Sequence, residues 1–84
     1  MSLRGGYQQQ DGCLLFSFTG QLDAYSDKQF LAFITDHLTS TPQPLVIDLS
    51  KIDFIDSSGL GVLVQMAKHC NDQAVQFLVV GNAR

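Results

Sequence analysis

Only five of the 84 residues are lysine or arginine, and no two of them stand together. With a net charge of −3, the chain has no electrostatic footprint for nucleic acid or for an anionic membrane. Long apolar runs are missing as well. The longest, around Leu60 to Val64 and Phe77 to Val80, fall far short of the roughly 20 residues that a membrane-spanning helix requires. No basic segment followed by an apolar core opens the chain, so no signal peptide is expected and a cytoplasmic location is. Cysteine is scarce: Cys13 and Cys70 stand far apart in segments that read as a strand and a helix, as two buried or half-buried thiols do. His37 and His69 add no ligand spacing, so neither a metal nor any other cofactor is expected.

What remains is a composition that folds. Hydrophobic residues make up 45% of the chain and charged ones 15%, which places it among globular proteins. At this length there is room for one domain with a marginal core, since about 60 to 65% of the unfolded surface is buried on folding. Residues 1–6 read as a loose start. Residues 7–10 and 13–19 then read as strands joined by Asp11-Gly12, a strong hairpin signal. Gly20 is expected to break the second strand. Ser26 with Gln29 three residues on fits a capping box, and Phe30, Leu31, Phe33, Ile34 and Leu38 continue at helical spacing, predicting a helix over 26–38.

Two prolines make 39–44 a loop, and the apolar run 45–49 reads as a central strand covered on both faces. A second helix follows Ser57 and Ser58 and ends at Asn71-Asp72. Residues 74–80 form the next strand, and Gly81-Asn82-Ala83 would introduce another element. The order β, β, α, β, α, β implies an α/β fold, with strands parallel where a helix joins them and a hairpin that makes the sheet mixed.

The stretch that calls for chemistry is Phe54-Ile55-Asp56-Ser57-Ser58-Gly59-Leu60-Gly61-Val62, an acidic turn leading into a helix that opens with two glycines. Each glycine forfeits roughly 0.5 to 1 kcal/mol against alanine in a helix, so Gly59 and Gly61 mark a surface that something approaches closely. Asp56, Ser57 and Ser58 all suit helix capping. At 100° per residue, Leu60, Leu63, Val64 and Ala67 form the stripe expected to pack on the sheet. Ser58, Gly61, Val62, Gln65 and His69 then point away from it. Asp23 fits a turn residue before the first helix, Asp48 a paired carboxylate within an apolar strand, and Met66 the core. A serine hydrolase would need the first glycine of a G-x-S-x-G elbow, which Ile55 to Gly59 lacks. Gly59-x-Gly61 is only a fragment of a dinucleotide fingerprint.

Taken with Thr19-Gly20-Gln21-Leu22-Asp23 and Val46-Ile47-Asp48-Leu49-Ser50, this stretch resembles a STAS domain of the bacterial anti-sigma factor antagonist type, over nearly the whole chain. The resemblance implies a STAS-like α/β fold, a mixed sheet with an N-terminal β-hairpin and helices packed on it. It further implies a binding protein rather than an enzyme, one that engages an anti-sigma factor that is also a serine kinase and so frees a sigma factor. Ser58 matches the phosphoacceptor. Asp23, Asp56, Ser57, Ser58, Gly59, Gly61, Val62 and Gln65 would meet the partner, and a phosphatase would reset the switch. The family pattern continues with another helix, strand and helix after Val80, so residues 1–84 are read as a single, C-terminally truncated STAS domain. Surface left bare by the missing elements predicts a homodimer or a domain-swapped assembly. A scaffold subunit of a stress-signalling complex, or an accessory domain of a transport system, uses the same fold and stays open as the alternative.

Overall fold

A computed structural model of the chain describes residues 3–38 and 41–81. Strands β1 (Leu3–Gln10) and β2 (Cys13–Leu22) form an antiparallel hairpin. Its two-residue turn needs positive φ at both positions, and Asp11 (54°) and Gly12 (78°) supply it. Helix α1 (Asp27–Asp36) carries the chain back to β3 (Leu45–Ile55), and α2 (Ser57–Asp72) carries it to β4 (Phe77–Val80). The strands lie side by side in the order β1-β2-β3-β4, with β2, β3 and β4 mutually parallel. This is the mixed α/β sheet that the sequence predicts.

Both helices lie on one face of the sheet, so among the described residues β3 is not covered on both faces as its apolar run suggests. Leu14, Phe16 and Phe18 of β2 and Leu45, Ile47 and Leu49 of β3 point to the helix side, where Phe30 and Ile34 of α1 and Val62, Met66 and Cys70 of α2 close the core. Phe18 meets Phe30 at 4.6 Å between ring centroids, and Phe33 lies edge-on to Phe16 at 6.1 Å. On the opposite face, Leu15, Val46 and Leu78 share a row with no helix above them among the described residues. No helix is long and apolar enough to cross a membrane among the described residues.

Several boundaries move, each for a local reason. Strand β1 begins at Leu3, inside the segment expected to be loose, because Leu3 is buried and its carbonyl accepts from Gln29 Nε2 at 2.7 Å. Gly20 does not end β2. It takes φ +111°, two register shifts flank it, and the strand resumes pairing to Leu22. These bulges keep β2 beside β3, so β3 runs six residues past Leu49, to Ile55. Strand β4 starts at Phe77 because Ala74, with φ +57°, sits in a turn.

The capping box of α1 is absent. Gln29 is committed to Leu3, and the Ser26 hydroxyl turns back to donate to Gln21 O at 2.8 Å while accepting from Asp23 N at 3.0 Å. Leu38 lies beyond the end of α1 and is exposed. Residues 1–2, 39–40 and 82–84, and with them part of the expected start, part of the proline loop and the element expected at Gly81-Asn82-Ala83, lie outside the described residues.

Candidate functional site

The carboxyl ends of β2 and β3 open towards the same end of the sheet, and Asp56 links the turn after β2 to the helix after β3. Its backbone is extended, and its N–H donates to Leu22 O at 3.3 Å. One carboxylate oxygen, Oδ1, accepts from Gly59 N at 3.0 Å and caps α2. The other, Oδ2, accepts from Ala24 N at 3.2 Å in the turn between β2 and α1. Asp23 braces that turn from within, since its Oδ1 accepts from Tyr25 N at 3.0 Å and lies 3.2 Å from Ser26 Oγ. Of the residues singled out in the sequence, Asp23, Asp56, Ser57 and Ser58 are thereby gathered at one place.

Asp56→Ala removes a helix cap, which costs about 0.5 to 2 kcal/mol, and returns the exposed Ala24 N–H to water. The denaturant midpoint should fall by an amount equivalent to about 0.5 to 2 kcal/mol. Asp56→Asn should lose less, because asparagine caps equally well. Equal midpoints for Asp56→Ala and the parent chain would show that the carboxylate does not hold the two elements.

Asp56 caps the helix, so the serines do not have to. Neither the Ser57 nor the Ser58 hydroxyl is bonded within the described residues. Ser57 is exposed. Ser58 is half-buried rather than facing outward, and the cause is the phase of α2. The core stripe runs through Gly59, Val62, Met66 and Cys70, whereas Leu60 and Val64 are 57% and 59% exposed. Ser58 stands one turn before Val62, on the flank of that stripe. Two expected partner contacts fall with the same correction: Gly59 and Val62 are buried and offer no surface. Gly61 and Gln65 are exposed, and Met66 is in the core.

The two glycines have different tasks. A Cβ on Gly59 would press on the carbonyl oxygen of Leu22, so the close approach at this helix start is made by the chain's own strand β2. A Cβ on Gly61 would meet nothing within 4 Å.

Neither imidazole lies near the serines. His69 is in the last turn of α2, eleven residues and so about 16 Å beyond Ser58 along the helix. His37 follows α1, its ring tilted against Tyr7 at 4.5 Å between centroids, with Nδ1 2.7 Å from Phe33 O. Among the described residues, therefore, no histidine stands beside the serines as the base of an acyl-transfer site would. Asp48 serves β3 itself. Hydrogen bonds from Ser50, with its N–H 2.9 Å from Oδ1, and secondarily the Lys51 charge hold its carboxyl below the usual range. Burial pushes the Cys70 thiol up, and Cys13 is half-buried.

Three exposed apolar side chains around this site are not evident from the sequence. Tyr25 is 95% exposed, Phe54 is 52% exposed at the end of β3, and Leu60 lies on the surface rather than in the stripe that packs on the sheet. An aromatic residue in a two-aspartate turn, Asp23-Ala24-Tyr25-Ser26-Asp27, is the signal that could have revealed the first.

A STAS domain profile matches residues 7–84. The chain belongs to the STAS domain family. The anti-sigma-F factor antagonist RsfA of Mycobacterium tuberculosis is 26% identical over 85 residues, an alignment that takes in 99% of the chain and 66% of that relative. The crystal structure of an anti-sigma factor antagonist from Mycobacterium paratuberculosis superposes with a TM-score of 0.76 at 28% identity, covering 98% of the chain and 69% of that protein. A structure of the anti-sigma factor antagonist SpoIIAA in its unphosphorylated form shares the fold, with a TM-score of 0.69 at 15% identity over 96% of the chain and 76% of SpoIIAA.

Proposed function

We propose that this STAS domain is a phosphorylation-controlled anti-sigma factor antagonist, acting in the cytoplasm. It binds an anti-sigma factor that is also a serine kinase and so releases a sigma factor. Ser58 is the phosphoacceptor, and a phosphatase restores the binding form. The single observation that carries the reading is the division of labour at the start of α2: Asp56 caps the helix, which leaves two serine hydroxyls, unbonded among the described residues, at a helix N-terminus on one end of the sheet. A helix N-terminus tolerates or favours the charge of about −1.5 to −2 that a phosphate brings, so modification leaves the fold intact. The relatives' names support the partner class. The test is incubation with the cognate kinase and ATP, followed by mass spectrometric mapping. A single phosphate on Ser58 is expected, and modification of Ser57 with Ser58 untouched would overturn the assignment.

The open sheet edge favours self-association of the 84-residue chain. Strand β4 pairs only with β3 among the described residues, and Leu78, Val79 and Val80 are all exposed along it. An apolar edge without charge or proline is a template for another strand. Sedimentation of the chain should therefore show a dimer that Leu78→Lys returns to monomer. A cooperatively folding monomer at high concentration would sink the dimer.

A further inference from the structure

Tyr25 is a bulky ring with no task in the fold. It is 95% exposed, it takes part in no ring contact within the described residues, and only its backbone N–H is hydrogen-bonded. Its backbone, by contrast, is held from several sides. Asp23 Oδ1 accepts from Tyr25 N, Asp23 O accepts from Ser26 N at 3.1 Å and Asp27 N at 2.9 Å, and Asp56 Oδ2 accepts from the neighbouring Ala24 N. The ring is thus presented on a fixed mount, tied by one hydrogen bond to the residue that precedes Ser57 and Ser58. Phe54 and Leu60 flank the same two serines in sequence and line a separate groove of about 660 Å³ with Leu63 and Val79.

We infer that Tyr25, seconded by Phe54 and Leu60, is the apolar anchor by which the anti-sigma factor grips the unphosphorylated turn; this rests on the function proposed above. Interface energy concentrates in a few aromatic side chains that enter apolar pockets, and tyrosine loses little conformational freedom when it does so. The ionised groups around the anchor narrow down its occupant. Asp23 and Asp27 flank Tyr25 in sequence, with Lys28 after them, and Asp53 and Asp56 flank Phe54, whose groove Lys51 also lines, so acids outnumber cations four to two. A second copy docked here by two-fold symmetry would set these carboxylates against their own images. A heterologous partner with an apolar slot and hydrogen-bond donors at its rim satisfies both the ring and the acids.

Calorimetry against the purified kinase that phosphorylates the parent chain tests this. Tyr25→Ala should lower affinity about tenfold or more, with an unchanged melting temperature because the ring supports nothing in the fold. Tyr25→Phe should keep most of the affinity. Phe54→Ala should also weaken binding, and its melting temperature reports any packing lost at the half-exposed site. If the parent chain binds and Tyr25→Ala binds within twofold of it, the anchor is wrong while the proposed function stands. If the parent chain neither binds nor is phosphorylated by any such kinase, the proposed function fails and the anchor with it. If Tyr25→Ala instead dissolves a dimer in sedimentation and leaves partner affinity untouched, the ring belongs to a self-interface, which also overturns the inference.

Discussion

On the function proposed above, phosphorylated protein is expected to bind the anti-sigma factor about a hundredfold more weakly than the unmodified form, and Ser58→Asp about tenfold more weakly, with Ser58→Ala close to the parent. The ordering follows from charge. Phosphate brings about −1.5 to −2 charges and three acceptor oxygens, and a carboxylate brings one charge and two. Either group stands two residues from Asp56, whose oxygens are already committed to Gly59 N and Ala24 N. Even a partner rich in donors has to strip the phosphate of its water before closing over the turn, and the added bulk at half-buried Ser58 lifts the partner away from its neighbours. The helix dipole works in the opposite sense on stability, since a negative group in the first turn contributes about 0.3 to 1 kcal/mol. Ser58→Asp should therefore lose affinity without losing melting temperature. Calorimetry paired with thermal unfolding checks this, and a Ser58→Asp chain that binds like the parent would remove Ser58 from the interface.

Legibility in the sequence differs from element to element. The hairpin is legible, because Asp11-Gly12 supplies the positive φ angles that its turn requires, and so are both apolar strands beyond it. Asp56 as a cap is also readable from residue type and position. The phase of α2 is not. Leu60, Leu63, Val64 and Ala67 make as good an i, i+3, i+4, i+7 stripe as Val62, Met66 and Cys70, because the helix is apolar on two sides. Hydropathy alone cannot choose between two such faces. The choice is made by backbone contact: the helix start presses on Leu22 at Gly59, and the residues one, two and three turns on from that contact are the ones that enter the core. Strand length is hidden for a similar reason. Gly20 reads as a stop, yet a bulge absorbs its positive φ and lets β2 and β3 continue to the site. That extension places Gln21 beside Phe54 and Leu22 beside Ile55, and so brings Asp23 to Asp56.

The contrast between the two glycines yields the largest stability difference. Gly59→Ala should destabilise the protein by about 1 to 3 kcal/mol or more, the usual cost of forcing atoms into a packed site. The obstacle is backbone, not a flexible side chain: the new Cβ would press on Leu22 O, with Ile55 Cγ2 a further 3.0 Å neighbour, and neither strand end can yield without disturbing the pairing of Leu22 with Ile55. Relief by shifting α2 outward would stretch the Asp56 cap on Gly59 N as well. Gly61→Ala should act in the opposite direction. Its Cβ meets nothing, so replacing glycine inside the helix should stabilise by roughly 0.5 to 1 kcal/mol. A longer side chain at the same place, Gly61→Leu, should fold at least as well as the parent and weaken partner binding, because it fills exposed surface one turn from Ser57. Denaturant unfolding of the three variants, with calorimetry on the last, separates these effects. Equal stability of Gly59→Ala and Gly61→Ala would show that contact with Leu22 does not set the position of α2.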